Sequence, residues 1–359
     1  ATAAVARLAP DAVVERLGLP DGALTAVEER LLDVLAERCG PDTLVVAPWS
    51  ADGHPDHDAL GRAASGAAAR SGATVAYYPV WLWHWGHPDD LPWEAVHAVE
   101  LTSPDLARRA AAVDEYPSQT APLGPGPGEA AVVTEPVLRR ARRVVEALFA
   151  APGALPLLAP RDDADVAAPF DAMCAGGPDP WAFEGSFYEE RKRALTTAVL
   201  ARPRYGSVVE IGCADGLLTT ALAARAGGVV AIDVSPAALD LARARSLANV
   251  RWVLGRAPAA VPPGPTDLVM LSEVGYFLTP LELLETLRRV RRSLAEGGEV
   301  ALVHWRHPTA DVPLDGPAVH DQAASVLADL PHRVHHVDAD VVIDVWGHPA
   351  SVAEQEGRR

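Results

Sequence analysis

Short apolar runs alternate with longer amphipathic stretches along the whole chain. In the C-terminal half, each apolar run has the length of a buried strand, and the stretches between the runs carry apolar residues at helical spacing. Strand and helix therefore alternate, as in α/β proteins with a parallel sheet. The last two runs are adjacent and joined by a short turn, which predicts an antiparallel hairpin. The predicted strands are 207–211, 229–232, 250–254, 267–271, 299–303, 333–337 and 341–346.

The N-terminal half shows the same alternation. Thr25 and Glu28 have the spacing of a capping box, in which two side chains satisfy free backbone N–H groups at the start of a helix. Because strands and helices follow one another, a parallel sheet is favoured here as well. The predicted strands are 43–47 and 74–80, and the predicted helices are 22–39, 58–70, 105–115 and 135–149.

Two domains are expected from the pattern and from the length of the chain. The 359 residues are enough for two domains of roughly 150 residues each. A stretch rich in proline, alanine and glycine at 151–178 predicts a linker. We therefore expect the α/β fold class with two Rossmann-like domains, 1–150 and 179–350, of which the second contains a seven-stranded sheet.

A loop of small residues follows the strand at 207–211. It consists of residues 212–216, and Asp233 ends the next strand. Small residues let the loop backbone approach a ligand, and an acidic residue at the second strand end can bind the two hydroxyls of a ribose. The spacing Glu-x-Gly-x-x-x-Gly differs from the G-x-G-x-x-G of dinucleotide-binding proteins, which would put glycine at Ala214 and Leu217. The pattern favours a different nucleotide, and an ordinary βαβ turn is the alternative.

Composition restricts the partners and the compartment. The formal net charge is −17, which disfavours nucleic acid or an anionic membrane as a partner, because their phosphates would be repelled. Cys39, Cys174 and Cys213 are too far apart to suggest a disulfide framework or a zinc cluster. Since the sequence shows no long apolar run and no signal peptide, we expect a cytoplasmic protein. The first residue is Ala1, so we expect a fragment or a processed product.

The C-terminal half, from about Asp179 to Pro349, resembles the class I S-adenosylmethionine-dependent methyltransferases. It is most similar to the nodulation protein S branch, which methylates nitrogen on sugar substrates. The resemblance lies in the predicted strand ends and in the helix before the first strand. The segments that carry it are Asp179–Trp181, Tyr188–Lys192, Glu210–Gly216, Ala231–Pro236, Gly255–Pro258, Leu271–Tyr276 and His304–Pro308.

The resemblance implies a site for S-adenosylmethionine at the carboxyl ends of the strands. Asp233 is expected to hold the ribose hydroxyls, and Glu210 to orient the loop. Arg256 and Ala257 are expected to flank the adenine. Lys192, the only lysine of the chain, either meets a carboxylate near the cofactor or lies in solvent. The other expected cofactor-binding residues are Trp181, Tyr188, Gly212, Ala214, Gly216, Val234 and Ser272.

Methyl transfer depends on alignment of the nucleophile with the methyl group and the sulfur, and on a base if an amine arrives protonated. The catalytic candidates lie at strand ends, and a histidine near its ordinary pKa would be a suitable base. They are Glu273, Tyr276, His304 and His307. The alternative is that Glu273 binds backbone and that His304 packs beside Trp305.

The N-terminal half resembles a second family over about residues 15–150. His54-Pro-Asp-His57 resembles the second metal motif of the PIG-L (LmbE-like) N-acetylglucosaminyl deacetylases. The resemblance implies that His57 is a zinc ligand and that His54 stabilises the oxyanion or protonates the leaving amine. That family's first motif, His-Pro-Asp-Asp-Glu, supplies two further ligands and the base, and no such segment precedes His54. We therefore expect a truncated PIG-L-type domain that binds zinc only if the motif is restored.

The main hypothesis is a methyltransferase that uses S-adenosylmethionine to N-methylate an amino sugar or a related small metabolite. In a bifunctional chain, the deacetylase-like half would expose the amine that the other half methylates. One alternative is a zinc-dependent PIG-L deacetylase with an accessory S-adenosylmethionine-binding domain. Another is a non-enzymatic scaffold. The sequence leaves the acceptor, the methylated atom and the oligomeric state open.

Overall fold

The computed structural model describes residues 2–122, 124, 126, 130–133, 137–138, 143–151, 154–155, 162–177, 179, 181–309, 312–347 and 350–358. The chain forms two compact units, Ala1–Ala159 and Pro160–Arg359. Both contain helices and a β-sheet, so the predicted α/β fold class is confirmed. Within the described ranges, no helix combines the length and the apolar character needed to cross a membrane.

The first unit contains a four-stranded sheet. The strands are β1 (Leu44–Pro48), β2 (Thr74–Tyr78), β3 (Val96–Glu100) and β4 (Val145–Phe149). Their order is β1-β2-β4-β3, and β1 and β2 are parallel, whereas β4 runs antiparallel to both β2 and β3. The α-helices described in this unit are α1 (Thr2–Leu8), α2 (Glu28–Ala36), α3 (Pro55–Ser71), α4 (Leu82–Trp85), α5 (Ser103–Asp114) and α6 (Pro117–Thr120).

The predicted helix at 135–149 is wrong over its last five residues, which form β4. Residues 134–136 and 139–142 lie outside the described part of the chain. A short apolar run fits either a helix or a strand, and here its pairing with two neighbouring strands decides. Because β4 returns antiparallel between β2 and β3, the prediction of a parallel, Rossmann-like sheet is also wrong, and the sheet is mixed.

The predicted capping box of Thr25 and Glu28 is absent. A 3₁₀ turn spans Leu24–Val27, and α2 begins at Glu28 without a side-chain cap. The carboxylate of Asp56 accepts hydrogen bonds from the backbone N–H groups of Gly22, at 2.7 Å, and of Leu24, at 2.9 Å. Asp56 of α3 therefore satisfies two backbone N–H groups of the segment before α2. The partners are distant in the sequence, so local spacing does not reveal this contact.

The second unit contains the predicted seven-stranded sheet. The strands are β5 (Tyr205–Ile211), β6 (Ala226–Asp233), β7 (Val250–Leu254), β8 (Thr266–Ser272), β9 (Leu294–Trp305), β10 (His332–Val337) and β11 (Val341–Gly347). The α-helices described here are α7 (Asp163–Cys174), α8 (Phe187–Ala198), α9 (Leu217–Ala223), α10 (Pro236–Arg243), α11 (Pro280–Ser293), α12 (Gly316–Val326) and α13 (Val352–Gln355).

The strand order is β10-β11-β9-β8-β5-β6-β7. Strands β5 to β9 are parallel, and the hairpin of β10 and β11 is antiparallel, so the predicted closing hairpin is confirmed. Successive residues of β5 point to opposite faces of the sheet. Val208 belongs to one apolar cluster and Val209 to the other, so apolar residues cover both faces of the sheet. The ends of the strands remain for a ligand site.

Part of the predicted linker at 151–178 is helical. Asp162 caps α7 by accepting a hydrogen bond from the N–H group of Ala164, at 2.8 Å. Asp171 of the same helix accepts a hydrogen bond from the Ser235 hydroxyl, at 2.5 Å, which ties α7 to the start of α10. Proline and alanine favoured a linker, but Pro169 is accommodated inside α7 and the helix is held by these contacts.

Candidate active site

A cavity of about 420 Å³ lies at the carboxyl ends of the parallel strands of the second unit. The segments that follow β5, β6, β7 and β8 form its wall together with α7 and α8, as expected for a ligand site of an α/β sheet. Gly216 is not part of the lining. The lining brings together the predicted residues Trp181, Tyr188, Lys192, Glu210, Gly212, Ala214, Asp233, Val234, Arg256, Ala257, Ser272, Glu273 and Tyr276.

The loop after β5 has an unusual backbone conformation. Gly212, Ala214 and Gly216 have φ angles of 77°, 47° and 79°. A Cβ on Gly212 would lie 2.8 Å from Cβ of Val274, so only glycine fits there. Ala214 is rare as a non-glycine residue in this region, and its N–H group donates to Oδ2 of Asp233 at 2.8 Å. The loop therefore exposes its backbone to the cavity.

Asp233 is held at the end of β6 by two backbone donors. Oδ2 accepts from Ala214, and Oδ1 accepts from the N–H group of Ser235 at 2.9 Å. Burial raises the pKa of this carboxyl group. Each carboxylate oxygen retains a lone pair, so Asp233 can accept hydrogen bonds from hydroxyl groups of a ligand.

Glu210 lies beneath the loop, with 1% of its surface exposed. Its Oε2 accepts a hydrogen bond from the Thr219 hydroxyl at 2.5 Å, which joins the end of β5 to α9. Burial raises the pKa of Glu210 to about 8. At neutral pH it is therefore mainly a neutral acid that fixes the two ends of the loop.

Arg256 lies on the wall that follows β7. Its guanidinium group contacts Asp163 at 2.9 Å and Glu282 at 2.5 Å, so it connects α7 with α11. Ala257 is buried beside it. These contacts fix a planar guanidinium group at the cavity edge, where it can stack on an aromatic ring.

Two glutamates share the single lysine in the cavity wall. Nζ of Lys192 lies 2.9 Å from Oε1 of Glu189 and 3.0 Å from Oε1 of Glu273. Oε2 of Glu273 accepts hydrogen bonds from the Tyr276 hydroxyl, at 2.5 Å, and from the N–H group of Trp305, at 3.1 Å. Lys192 thus meets carboxylates rather than solvent, and Glu273 does bind backbone. Nη1 of Arg193 also lies 3.9 Å from Oε2 of Glu189, so the two carboxylates face two cations on this wall.

Two aromatic hydroxyl groups differ in their partners. Burial and the charge of Glu273 raise the pKa of Tyr276, which keeps its proton for the hydrogen bond. The Tyr188 hydroxyl is buried and has no hydrogen-bond partner among the described residues. Its ring packs edge-on against Trp305, with centroids 5.5 Å apart. Tyr188 therefore offers a free polar atom within the cavity wall.

The two histidine candidates lie away from the cavity lining. His304 is completely buried, its Nε2 accepts a hydrogen bond from the N–H group of Gly275, and its Nδ1 lies 3.0 Å from Nε2 of His320. Burial lowers the pKa of His304 well below its usual value. His307 is half exposed and pairs with Asp340 at 3.0 Å. His304 is packed in the core, where its ring contacts Tyr276 and His320, and its catalytic role stays a prediction.

In the first unit, the His54–His57 segment opens α3. Nδ1 of His57 lies 2.6 Å from Oδ2 of Asp52, which is buried and accepts hydrogen bonds from the backbone N–H groups of 80–82. Nδ1 of His54 accepts a hydrogen bond from Asp56 at 3.2 Å. Among the described residues, neither histidine belongs to a group of three side chains able to hold a metal ion. Zinc binding by His57 stays a prediction.

Several residues of this region have no predicted role. Glu189 lies three residues before Lys192, a helical spacing that signals an ion pair. Phe170 of α7 contacts Phe277 edge-on, with centroids 5.0 Å apart, and both line the cavity. No local signal identifies Phe170, because it lies in the segment predicted as a linker.

Comparison with known proteins identifies the fold of this site. Residues 208–298 match the family model described as a methyltransferase domain. The match lies within the second unit, which is similar to a methyltransferase domain over this segment. The matched segment of this domain includes the loop after β5, Asp233, Arg256 and Glu273.

Curated relatives agree with this identification. Nodulation protein S of Rhizobium tropici is 31% identical over 126 residues, which are 34% of this chain and 53% of that protein. An uncharacterized methyltransferase of Synechocystis is 33% identical over 122 residues, 34% of this chain and 57% of that protein. The chain spans about half the length of the curated relatives that it matches.

Among solved structures, the N-methyltransferase NodS from Bradyrhizobium japonicum WM9, in complex with S-adenosylhomocysteine, is 19% identical. The match covers 52% of this chain and 99% of that chain, with a TM-score of 0.44. The second unit is thus similar in sequence to methyltransferases, nodulation protein S among them. The resemblance of the first unit to PIG-L deacetylases stays a prediction.

Proposed function

We propose that this chain transfers the methyl group of S-adenosylmethionine to the nitrogen of a small amine, and that the amine is an amino sugar. The observation that carries the proposal is the pair of carboxylates, Glu189 and Glu273, that share Lys192 on the cavity wall. Their carboxylate oxygens can accept hydrogen bonds from a cationic amine. The resemblance of the C-terminal half to the nodulation protein S branch, which methylates nitrogen, supports nitrogen as the methylated atom.

The described residues fit S-adenosylmethionine. The cavity of about 420 Å³ lies within the range of small-molecule sites, roughly 300–1,000 Å³. Asp233 would hold the ribose hydroxyls, and Arg256 with Ala257 would flank the adenine. The backbone between Gly212 and Gly216 would contact the methionine part.

S-adenosylmethionine, when bound, supplies an activated methyl group on a sulfonium and leaves as a neutral thioether. Glu189 and Glu273 attract the protonated amine, and one of them accepts its proton, which frees the nitrogen lone pair. During transfer, positive charge develops on the nitrogen, and the carboxylate that has kept its charge stabilises it. Tyr276 and the Trp305 N–H group hold Glu273 in position.

The cofactor assignment is tested by calorimetric titration of the purified chain with S-adenosylhomocysteine. We expect one-to-one binding that Asp233→Ala weakens severely. The matched control is Asp240→Ala, which removes an exposed carboxylate of α10 and should leave the affinity unchanged. A folded wild-type chain that does not bind would refute the proposal.

The acceptor assignment is tested with a panel of amino sugars, simple amines and the corresponding alcohols. We expect methylated product with amino sugars and none with the alcohols. Glu189→Gln should raise the KM for the amine about tenfold or more, because it removes half of the carboxylate pair. Glu190→Gln, at the exposed neighbouring position of α8, is the control. Methylation of non-sugar acceptors alone would contradict the amino-sugar assignment.

The pairing with a deacetylase is the finer part of the proposal and depends on the His54–His57 resemblance. Such a partner activity would release the free amine that the second unit methylates. The alternative, a zinc deacetylase with an accessory nucleotide domain, requires stoichiometric zinc that His57→Ala abolishes.

A further inference from the structure

A cluster of metal-ligating side chains lies on the β10–β11 hairpin, away from the cavity lining. One ligand atom from each of His332, His335 and Asp344 can be chosen so that all three lie within 4.8 Å of one another. Nε2 of His332 lies 2.6 Å from Oδ1 of Asp344, and Nδ1 of His335 lies 2.8 Å from the same oxygen. Two imidazoles and one carboxylate therefore converge on one point.

The backbone of the hairpin explains the convergence. Residues three positions apart on a regular strand point to opposite faces of a sheet. The register of β10 shifts between His332 and Val334, and this irregularity turns His332 to the face of His335. His335 is the cross-strand partner of Asp344, which places the carboxylate beside it.

The second oxygen of the Asp344 carboxylate is held by a contact of its own. Asp344 is 3% exposed, and its Oδ2 lies 2.5 Å from Nδ1 of His320 on α12. Nε2 of His320 lies 3.0 Å from Nδ1 of His304, which is fixed by the Gly275 N–H group. Such outer contacts orient a metal-binding carboxylate and leave its other oxygen free to bind the ion.

The two histidines are accessible from solvent. The side chain of His332 is 43% exposed and that of His335 is 61% exposed, whereas that of Asp344 is 4% exposed. An ion can reach the ring nitrogens while the buried carboxylate supplies the negative charge. Imidazole nitrogen with carboxylate oxygen is a ligand set that suits zinc and neighbouring transition metals.

We propose that His332, His335 and Asp344 bind one divalent transition-metal ion, for which zinc is the probe. Three protein ligands leave the fourth tetrahedral position to water, and the exposed histidines allow it. The binding step is independent of methyl transfer, because none of the three residues lines the cavity.

The test uses the full chain, stripped of metal with a chelator and titrated with zinc by calorimetry. We expect a one-to-one site that His335→Ala weakens by more than the roughly 10- to 100-fold that loss of an outer partner costs, because the substitution removes a ligand. His336→Ala is the matched control, since it neighbours His335 on β10 and pairs with Ile343 instead. It should leave the affinity unchanged.

Two further measurements separate the outcomes. Cobalt(II) bound in place of zinc should give the visible absorption of a tetrahedral nitrogen–oxygen site, and His332→Ala should abolish that absorption. His57→Ala should not change zinc binding at the hairpin. Zinc binding that survives both His332→Ala and His335→Ala, or that is lost with His57→Ala instead, overturns the inference. A folded wild-type chain that does not bind zinc overturns it as well.

Discussion

Nζ of Lys192 lies 3.0 Å from Oε1 of Glu273, although 81 residues separate the two in the sequence. The contact joins α8 to the segment that follows β8. It fixes the position of the Glu273 carboxylate in the cavity wall. The Lys192 side chain is 8% exposed and that of Glu273 is 19% exposed, so water screens the pair only weakly.

Replacing this lysine should destabilise the second unit. Lys192→Met keeps the length of the side chain but removes the cation that Glu189 and Glu273 share, so that Glu189 retains only Arg193, at 3.9 Å. We expect the free energy of unfolding, measured with urea, to fall by about 3 kcal/mol, as for breaking a largely buried pair. The control Arg243→Met breaks the exposed pair with Asp240 at the same helical spacing, and should cost about 0–1 kcal/mol. Equal effects of the two substitutions would contradict the predicted role.

Substitution of Gly212 tests the loop conformation. Gly212→Ala places a Cβ at φ 77° and within 2.8 Å of Val274. We expect a loss of about 2 kcal/mol in stability from strain and overlap, and a severe loss of affinity for S-adenosylhomocysteine. Gly228→Ala in β6 is the control, because a Cβ there meets no atom within 4 Å. Unchanged ligand affinity in Gly212→Ala would rule out the loop as a binding element.

The buried acid Glu210 should make stability depend on pH. Its pKa is raised from 4.5 to about 8 in the folded protein, so the folded state binds more protons than the unfolded state between these values. The free energy of unfolding should therefore fall as the pH rises from about 5 to 8, with a contribution of up to about 1.4 kcal/mol per pH unit. Urea unfolding at a series of pH values measures this slope.

Glu210→Gln should remove that contribution, because the amide does not titrate and its oxygen can still accept the Thr219 hydrogen bond. Glu296→Gln, at an exposed position of β9, is the control and should keep the slope of the wild type. A variant Glu210→Gln that keeps the full slope would assign the pH dependence to another group.

Two tyrosine variants compare the loss of an unpaired hydroxyl group with the loss of a hydrogen-bonded one. Tyr188→Phe removes a buried hydroxyl that has no partner among the described residues, so the free energy of unfolding should stay the same or rise. In Tyr205→Phe the lost hydroxyl donates to Glu299, and about 1–3 kcal/mol should be lost. If Tyr188→Phe is as destabilising as Tyr205→Phe, the Tyr188 hydroxyl is bound within the protein and is no free donor.

Local sequence was informative where a structure is built from neighbouring residues. The seven strands of the second unit were predicted because each is an apolar run long enough to cross the core. The loop after β5 was recognisable because Gly212 and Gly216 are needed for its positive φ angles. Asp233 was identified because it ends the adjacent strand, one helix later in the chain.

The sequence by itself determined the α/β class, the seven-stranded sheet and the side of the cavity formed by the loop and Asp233, since these follow from local periodicity and backbone geometry. Only the tertiary structure decided that Lys192 joins Glu273, that residues 145–149 form a strand, and that α7 packs against α10. It also brought His332, His335 and Asp344 together. The physical reason is that these contacts depend on strand pairing, on a register shift and on helix packing between distant segments, which residue spacing does not encode.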